Sequence, residues 1–330
     1  MALIKRTHNL KSEDNTGFGA SGSNNAGRFY NRVRDRANVE KKGVSILERY
    51  SWYHTMLGMN RAKFLSLIFL VYILANLVFS GIYYLIGINH LSGINTGSDW
   101  KNFSEVFFFS TQTFTTVGYG RISPTGFLTS AVATFEAFLG LLSFAIATGL
   151  FYGRFARPRA FLKFSHNALI APYKDGAALM FRICPYKNNT LSEAEVKVTM
   201  AMQLEENGKM ANKFYTLDIE ISKINSLALS WTIVHPINEK SPFYGFSRDD
   251  IKHTKIEVLV FVQAFDEVFS NTVVDRTSYI SEEIVWGGRF KLMYHPSGNK
   301  TTTILDLNKL NDFDPVEIPF PAAVPDSIPG

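Results

Sequence analysis

Two long apolar stretches set the pattern of the first half of the chain. One runs from Phe64 to about Ile88 without a charged side chain, and the other from about Phe127 to Gly153 with a single one, Glu136. A bilayer core is crossed by about 20 apolar residues rising 1.5 Å each. Both stretches are therefore expected to be membrane-spanning helices, at about 62–88 and about 125–156 of a unit covering 60–156. Between them, Ser104–Thr115 is apolar but short, which suits a re-entrant helix over 104–115. Ahead of the first span, residues 46–59 put Ile46, Tyr50, Tyr53 and Leu57 on one helical face. Trp52 and the tyrosines suit a headgroup layer, so this segment is expected to lie in the interface; a small soluble helix is the alternative.

From about Lys163 the texture changes. Runs rich in Val, Ile, Thr and aromatic residues recur at 177–183, 194–203, 214–221, 226–235, 256–265, 271–280, 289–294 and 301–306. Within 195–202, Val196, Val198, Met200 and Met202 fall on one face, Glu195, Lys197 and Thr199 on the other. Strands at this spacing predict an all-β sandwich over 157–320. No long helical period intrudes, which excludes a doubly wound nucleotide-binding fold. Residues 1–45 begin polar, with Gly, Ser and Asn clustered at 15–27, and are expected to be partly disordered. Five prolines from Pro315 to Pro329 predict an extended, poorly ordered end, with 321–330 as a Pro-rich tail.

Charge supplies the orientation. Lys41, Lys42, Arg49, Arg61 and Lys63 precede the first span; Arg154, Arg157, Arg159 and Lys163 follow the second; only Lys101 and Arg121 lie between. Basic residues collect on the cytoplasmic side, so both termini are expected there, with the chain multi-pass in the plasma (inner) membrane. The net charge of +5 suits contact with anionic lipid, but no basic stripe marks a nucleic-acid partner. The single cysteine, Cys184, excludes an internal disulfide framework. A phosphate-binding glycine loop, a metal-spaced His or Cys set and a paired nucleophile and base are all missing, so neither an enzyme nor a cofactor is expected. His166, His235 and His253 are scattered and are expected to support strands or turns.

The decisive motif follows the re-entrant stretch: Thr116-Val117-Gly118-Tyr119-Gly120. Carbonyls that successively face one axis require a backbone alternating between ordinary and left-handed conformations, and glycine reaches positive φ at little steric cost. Such a loop between two spans has the form of a potassium selectivity filter, in which backbone oxygens replace the ion's hydration shell. Thr116 adds a hydroxyl to the lowest oxygen ring, and Val117 and Tyr119 are expected to turn away from the axis. K+ would bind at Thr116, Val117, Gly118 and Tyr119. One chain supplies one strand of such a filter; surrounding an ion takes four, hence a homotetramer.

Further stretches carry a family resemblance. Arg-Phe-Ala-Arg-Pro-Arg-Ala (154–160), Phe-Ser-His-Asn-Ala-Leu-Ile-Ala-Pro (164–172), Thr-Ile-Val-His-Pro-Ile (232–237), Ser-Pro-Phe-Tyr (241–244) and Ser-Tyr-Ile-Ser-Glu-Glu-Ile-Val-Trp-Gly (278–287) resemble inward-rectifier potassium channels. The likeness covers roughly 28–320 and is greatest to the prokaryotic, KirBac-like branch. It implies a two-span pore with a re-entrant pore helix, on a tetrameric ring of immunoglobulin-like cytoplasmic sandwiches. The eukaryotic branch braces its filter with a pore-helix glutamate and a later arginine; Gln112 here removes that brace, and Arg121 is left for another purpose. The aspartate usual after the prokaryotic filter is also missing.

Gating positions follow by correspondence. Phe144, Thr148 and Tyr152 share a helical face, and the family places its helix-bundle gate at Tyr152; a place in the interfacial aromatic belt is the plainer alternative. Gly140 and Gly149 suit hinges or close packing equally. The loop 263–271 matches the family's cytoplasmic girdle, with Phe265 and Ser270 facing the ion path, or is a plain hairpin. Phe144 replaces the acidic residue of strong rectifiers, Glu193 is a retained acidic position and Gln263 a lost one, which predicts weak rectification. Glu136 enters either pore electrostatics, with support of the filter from behind, or structural hydrogen bonding. Arg61, Arg154, Arg157, Arg159 and Lys163 are the expected anionic-phospholipid ligands. Polyamines, Mg2+ and Ba2+ are the expected blockers. The competing function is a membrane-anchored receptor or scaffold whose sandwich does the binding.

Overall fold

The computed structural model describes residues 28–32, 36–40, 42–45, 51–206 and 209–318. The N-terminal residues 1–27, the first part of the interfacial segment at 46–50 and the Pro-rich tail at 321–330 lie outside the described residues. The chain divides into two compact units, Lys41–Arg157 and the combination of Met1–Glu40 with Pro158–Gly330.

In the helical unit, Arg61–Ile86 and Phe127–Phe155 are helices of 26 and 29 residues, each long and apolar enough to cross a membrane. Asn60 caps the first by accepting from the Ala62 amide at 3.3 Å, and Gly87 ends it at φ 113°. The short helix Trp52–Gly58 precedes them, capped by Ser51. The re-entrant helix occupies Asp99–Phe114 rather than starting at Ser104. Its first turn is polar, so hydropathy hides it. Ser98 is its N-cap residue, and the Asn102 side chain closes on Gly97, accepting from its amide at 2.9 Å. Asp99 in that turn also favours the helix dipole.

The three long helices meet along narrow stripes. Asn76, Phe79, Ser80 and Tyr83 are buried on the first, Val106, Phe109 and Ser110 on the re-entrant helix, and Thr129, Glu136 and Gly140 on the last. Spacings of three, four and seven residues keep each set on one face. A two-residue ribbon pairs Leu91 with Pro124 and Ser92 with Ser123. It fastens the segment after the filter motif to the end of the first span.

The other unit is a β-sandwich. One sheet runs Lys223–Ser226, Leu191–Glu206, Ile256–Asp266, Asn271–Ile280, with Lys209–Thr216 also paired to Leu191–Glu206. The second runs Trp231–Ile237, Gly176–Pro185, Ala168–Tyr173, Ile284–Trp286, with Leu162–Phe164 added to Gly176–Pro185. Val196, Val198, Met200 and Met202 are all buried, and they join Phe181, Ile183, Val258, Val260 and Tyr279 in one core between the sheets. The apolar run 226–235 is not one strand: it straddles two, broken at Leu227–Ser230.

Residues 28–32 and 36–40 group with the sandwich. The Phe29 and Tyr30 amides donate to the buried Glu257 carboxylate at 2.5 and 3.1 Å, and Arg28 forms a two-pronged ion pair with Glu283 at 2.9 and 2.8 Å. Backbone donors and two arginines, Arg28 and Arg32, carry this attachment, so it leaves no hydrophobic period to read.

Candidate ion pathway

Thr116, Gly118 and Gly120 take φ values of 59°, 55° and 81°, while Val117 and Tyr119 between them do not cross into the left-handed region. Strict alternation along five residues is the backbone needed to bring successive carbonyls to one side. Glycine removes the strain at two of the three positions; Thr116 carries it, at a cost of about 1–2 kcal/mol. The lower end of the loop is anchored by the re-entrant helix. The Val117 amide donates to the Gln112 carbonyl at 2.9 Å, Gly118 to the same carbonyl at 3.3 Å, and Thr116 to Thr113 at 3.0 Å. The Val117 and Tyr119 side chains are 52% and 79% exposed in the single chain.

Arg121 finds a partner that the sequence reading lacked. With Gln112 unable to form an ion pair, its guanidinium instead engages the Glu105 carboxylate, higher on the same re-entrant helix. An Arg–Glu pair sixteen residues apart has no helical or strand period to announce it.

Glu136 lies on the second spanning helix, out of reach of solvent. It is 0% exposed within its own chain, held between the Tyr83 and Ser110 hydroxyls. The hydrogen bonds expected under the structural alternative are both present. Gly140 is likewise a packing residue: a Cβ there would lie 1.9 Å from the Phe114 carbonyl oxygen. Around Gly149 a Cβ would meet nothing within 4 Å, so only this glycine of the two remains free of close packing.

Phe144, Thr148 and Tyr152 are all exposed, and Thr148 donates back to the Phe144 carbonyl at 2.9 Å. Of the basic residues near the span ends, Arg61, Arg157, Arg159 and Lys163 are exposed. Arg154 differs. Its guanidinium donates to the Met56 carbonyl at 3.1 Å and to that of Met59, and it stacks 5.0 Å from the Phe64 ring centre. It thereby closes the end of the Trp52–Gly58 helix and is a poor candidate for binding lipid.

In the sandwich, Ile256–Asp266 and Asn271–Ile280 form a hairpin whose connection is 267–270. Asp266 is buried, and its carboxylate accepts from the Val268 and Phe269 amides at 2.9 and 3.1 Å. Ser270 completes the turn at φ 47°, and Phe265 is 38% exposed beside it. Opposite Gln263 and Phe265 the register slips, and Glu193 sits in this irregularity at φ 51°, ion-paired with Lys223. His235 is a structural histidine, its ring nitrogens 2.7 Å from the Asp218 carbonyl and 2.8 Å from Ser241 Oγ. Burial holds its pKa below the ordinary imidazole value.

Two spanning helices, a re-entrant helix and a loop of alternating handedness define a two-span channel pore, here joined to an all-β sandwich. Residues 162–325 match the family described as "Inward rectifier potassium channel C-terminal domain", and 71–157 match "Ion channel". The chain is 32% identical over 283 residues to "Inward rectifier potassium channel Kirbac3.1" of Paramagnetospirillum magnetotacticum, covering 84% of this chain and 92% of that one. It is 29% identical to "ATP-sensitive inward rectifier potassium channel 12" of Gallus gallus, over 70% of this chain and 58% of the relative. Identity to "Inward rectifier potassium channel irk-1" of Caenorhabditis elegans is 25%, over 86% and 55%. The chain thus spans little more than half the length of the two animal relatives. It belongs to the inward-rectifier potassium channel family, of the prokaryotic kind, and its function is that of a potassium channel.

Proposed function

We propose that four copies of this chain surround a single pore and pass K+ down its gradient through a filter built from Thr116–Gly120. The observation that carries this is the left-handed backbone at Thr116, Gly118 and Gly120 alone within that loop. The exposed Val117 and Tyr119 side chains support the assembly, since neighbouring copies would give them the cover that one chain lacks. Native mass spectrometry in detergent should give a tetramer, and vesicles of the purified chain should take up rubidium in a barium-sensitive way. A stable monomer with no such uptake in any lipid would end the reading.

The main gate is a constriction of four Tyr152 rings, with Phe144 and Thr148 on the same wall; apolar narrowing closes a pore by dewetting. The exposure of all three supports it. A second narrowing forms at Phe265 and Ser270 in the hairpin loop. Anionic phospholipid binds at Arg61, Arg157, Arg159 and Lys163, each exposed near a span end, in a plasma membrane with both termini cytoplasmic. Rectification is weak: Phe144 and Gln263 bring no charge, and Lys223 offsets Glu193. Polyamines and Mg2+ therefore block feebly, while Ba2+, sized for the filter, blocks well. No cofactor or nucleic acid takes part.

A further inference from the structure

Two hydroxyls from different helices of the helical unit converge on one buried carboxylate. Glu136 Oε2 accepts from the Tyr83 hydroxyl at 2.7 Å and Oε1 from the Ser110 hydroxyl at 2.5 Å. Tyr83 stands on the first spanning helix, Ser110 on the re-entrant helix and Glu136 on the second span. One side chain therefore ties all three. Ser110 Oγ also lies 3.1 Å from Asn76 Oδ1, and Asn76 is itself fixed by donating to the Tyr72 carbonyl at 2.8 Å. Four residues along the second span, Gly140 lets bare backbone abut the Phe114 carbonyl. Phe114 ends the re-entrant helix, two residues before Thr116.

The second span thus meets the re-entrant helix twice on one face: by a bonded side chain at Ser110 and by backbone contact at Phe114. We propose that Glu136 is a positioning residue for the filter, fixing the re-entrant helix through Ser110 while Gly140 sets how closely the helix end approaches. The inference rests on the filter lying at Thr116–Gly120. It acts by hydrogen bonding and not by charge. Glutamine at 136 keeps an acceptor for Tyr83 and offers an amide to Ser110, whose own proton can then turn to Asn76 Oδ1. Leucine fills the space and strips both hydroxyls of their acceptor where water is excluded.

The test measures the ratio of sodium to rubidium uptake in vesicles containing the purified full-length channel. Glu136→Leu should raise that ratio by about tenfold, and Ser110→Ala should move it the same way by less. Glu136→Gln should recover most of the selectivity that leucine loses, an outcome a purely electrostatic role does not allow. A leucine variant as selective as the parent overturns the proposal, as does a glutamine variant as leaky as leucine. Should Glu136→Leu fail to assemble, Ser110→Ala and Tyr83→Phe carry the test, and parental ratios in both overturn it. A parent channel without rubidium preference removes the filter assignment itself; a selective parent indifferent to residue 136 removes only the positioning role.

Discussion

The two units of this chain arrange polarity in opposite ways. In the sandwich, apolar residues such as Val198, Val258 and Phe181 are enclosed between sheets, and charged residues such as Lys197 and Arg276 face out. In the helical unit, Phe69, Val78, Leu85 and Phe138 are exposed while Asn76, Ser80, Ser110 and Glu136 are each 0% exposed. Each layout suits its solvent. Water drives apolar groups together in the sandwich. Where lipid covers the outside, it gives no such drive, and helices are held by close packing and hydrogen bonds between them. The helical unit therefore combines a small apolar cluster around Tyr83, Val106 and Phe109 with a few polar contacts and one missing Cβ, whereas the sandwich rests on the bulk of its core.

The sharpest way to break this contrast is to damage each unit by its own logic. Phe181→Ala should cost the sandwich about 3–5 kcal/mol, seen as a lower melting temperature in its β-sheet signal. A drop below 1 kcal/mol would mean that bulk packing matters less there than the enclosed core implies. Gly140→Val, with a branched Cβ driven into the Phe114 carbonyl, should cost the helical unit about 3 kcal/mol. It should reduce the yield of channel that binds barium while leaving the sandwich melt in place; equal loss in both signals would contradict the contrast.

Smaller effects sharpen it. Arg121→Gln removes the half-exposed ion pair with Glu105, and solvent screening limits the consequence to a change of about fivefold or less in barium block. Restoration by the exchange of Glu105→Arg with Arg121→Glu would show that the pair itself is responsible. In the sandwich, His235 is buried with a depressed pKa. The unfolded chain, titrating near pH 6.5, then binds this proton more readily than the folded one, so His235 adds stability above about pH 6.5 that fades as pH falls through the folded value. Melting of the parent should decline from pH 8 to 5 more steeply than that of His235→Asn; parallel curves would assign the decline elsewhere.

Legibility in the sequence follows the same division. The sandwich strands and spans are readable because burial repeats every second residue in one and apolar character runs unbroken in the other. Alternation at 196–202 sufficed to orient a whole strand. The alternating handedness of the Thr116–Gly120 loop is readable because two of its residues are glycines where the backbone turns left-handed. What stayed hidden has no period. The polar first turn at Asp99, the Arg121–Glu105 pair, the strap of Arg28 and Phe29 on Glu283 and Glu257, and the Arg154 clamp on Met56 and Met59 are each local and never recur at a fixed spacing. Glu136 drew attention as a lone carboxylate in a span, but its partners come from two other helices. Gly140 and Gly149 looked alike in sequence, and only the Phe114 carbonyl tells them apart.

The most direct test of the central claim is the reversal potential of the purified channel in a planar bilayer, with potassium on one side and sodium on the other. Four Thr116–Gly120 loops acting as a filter predict a reversal displaced toward the potassium equilibrium value, and its collapse in Gly118→Val, where a branched side chain is forced onto a left-handed backbone. A reversal near zero in the parent, or an unchanged one in Gly118→Val, would contradict it.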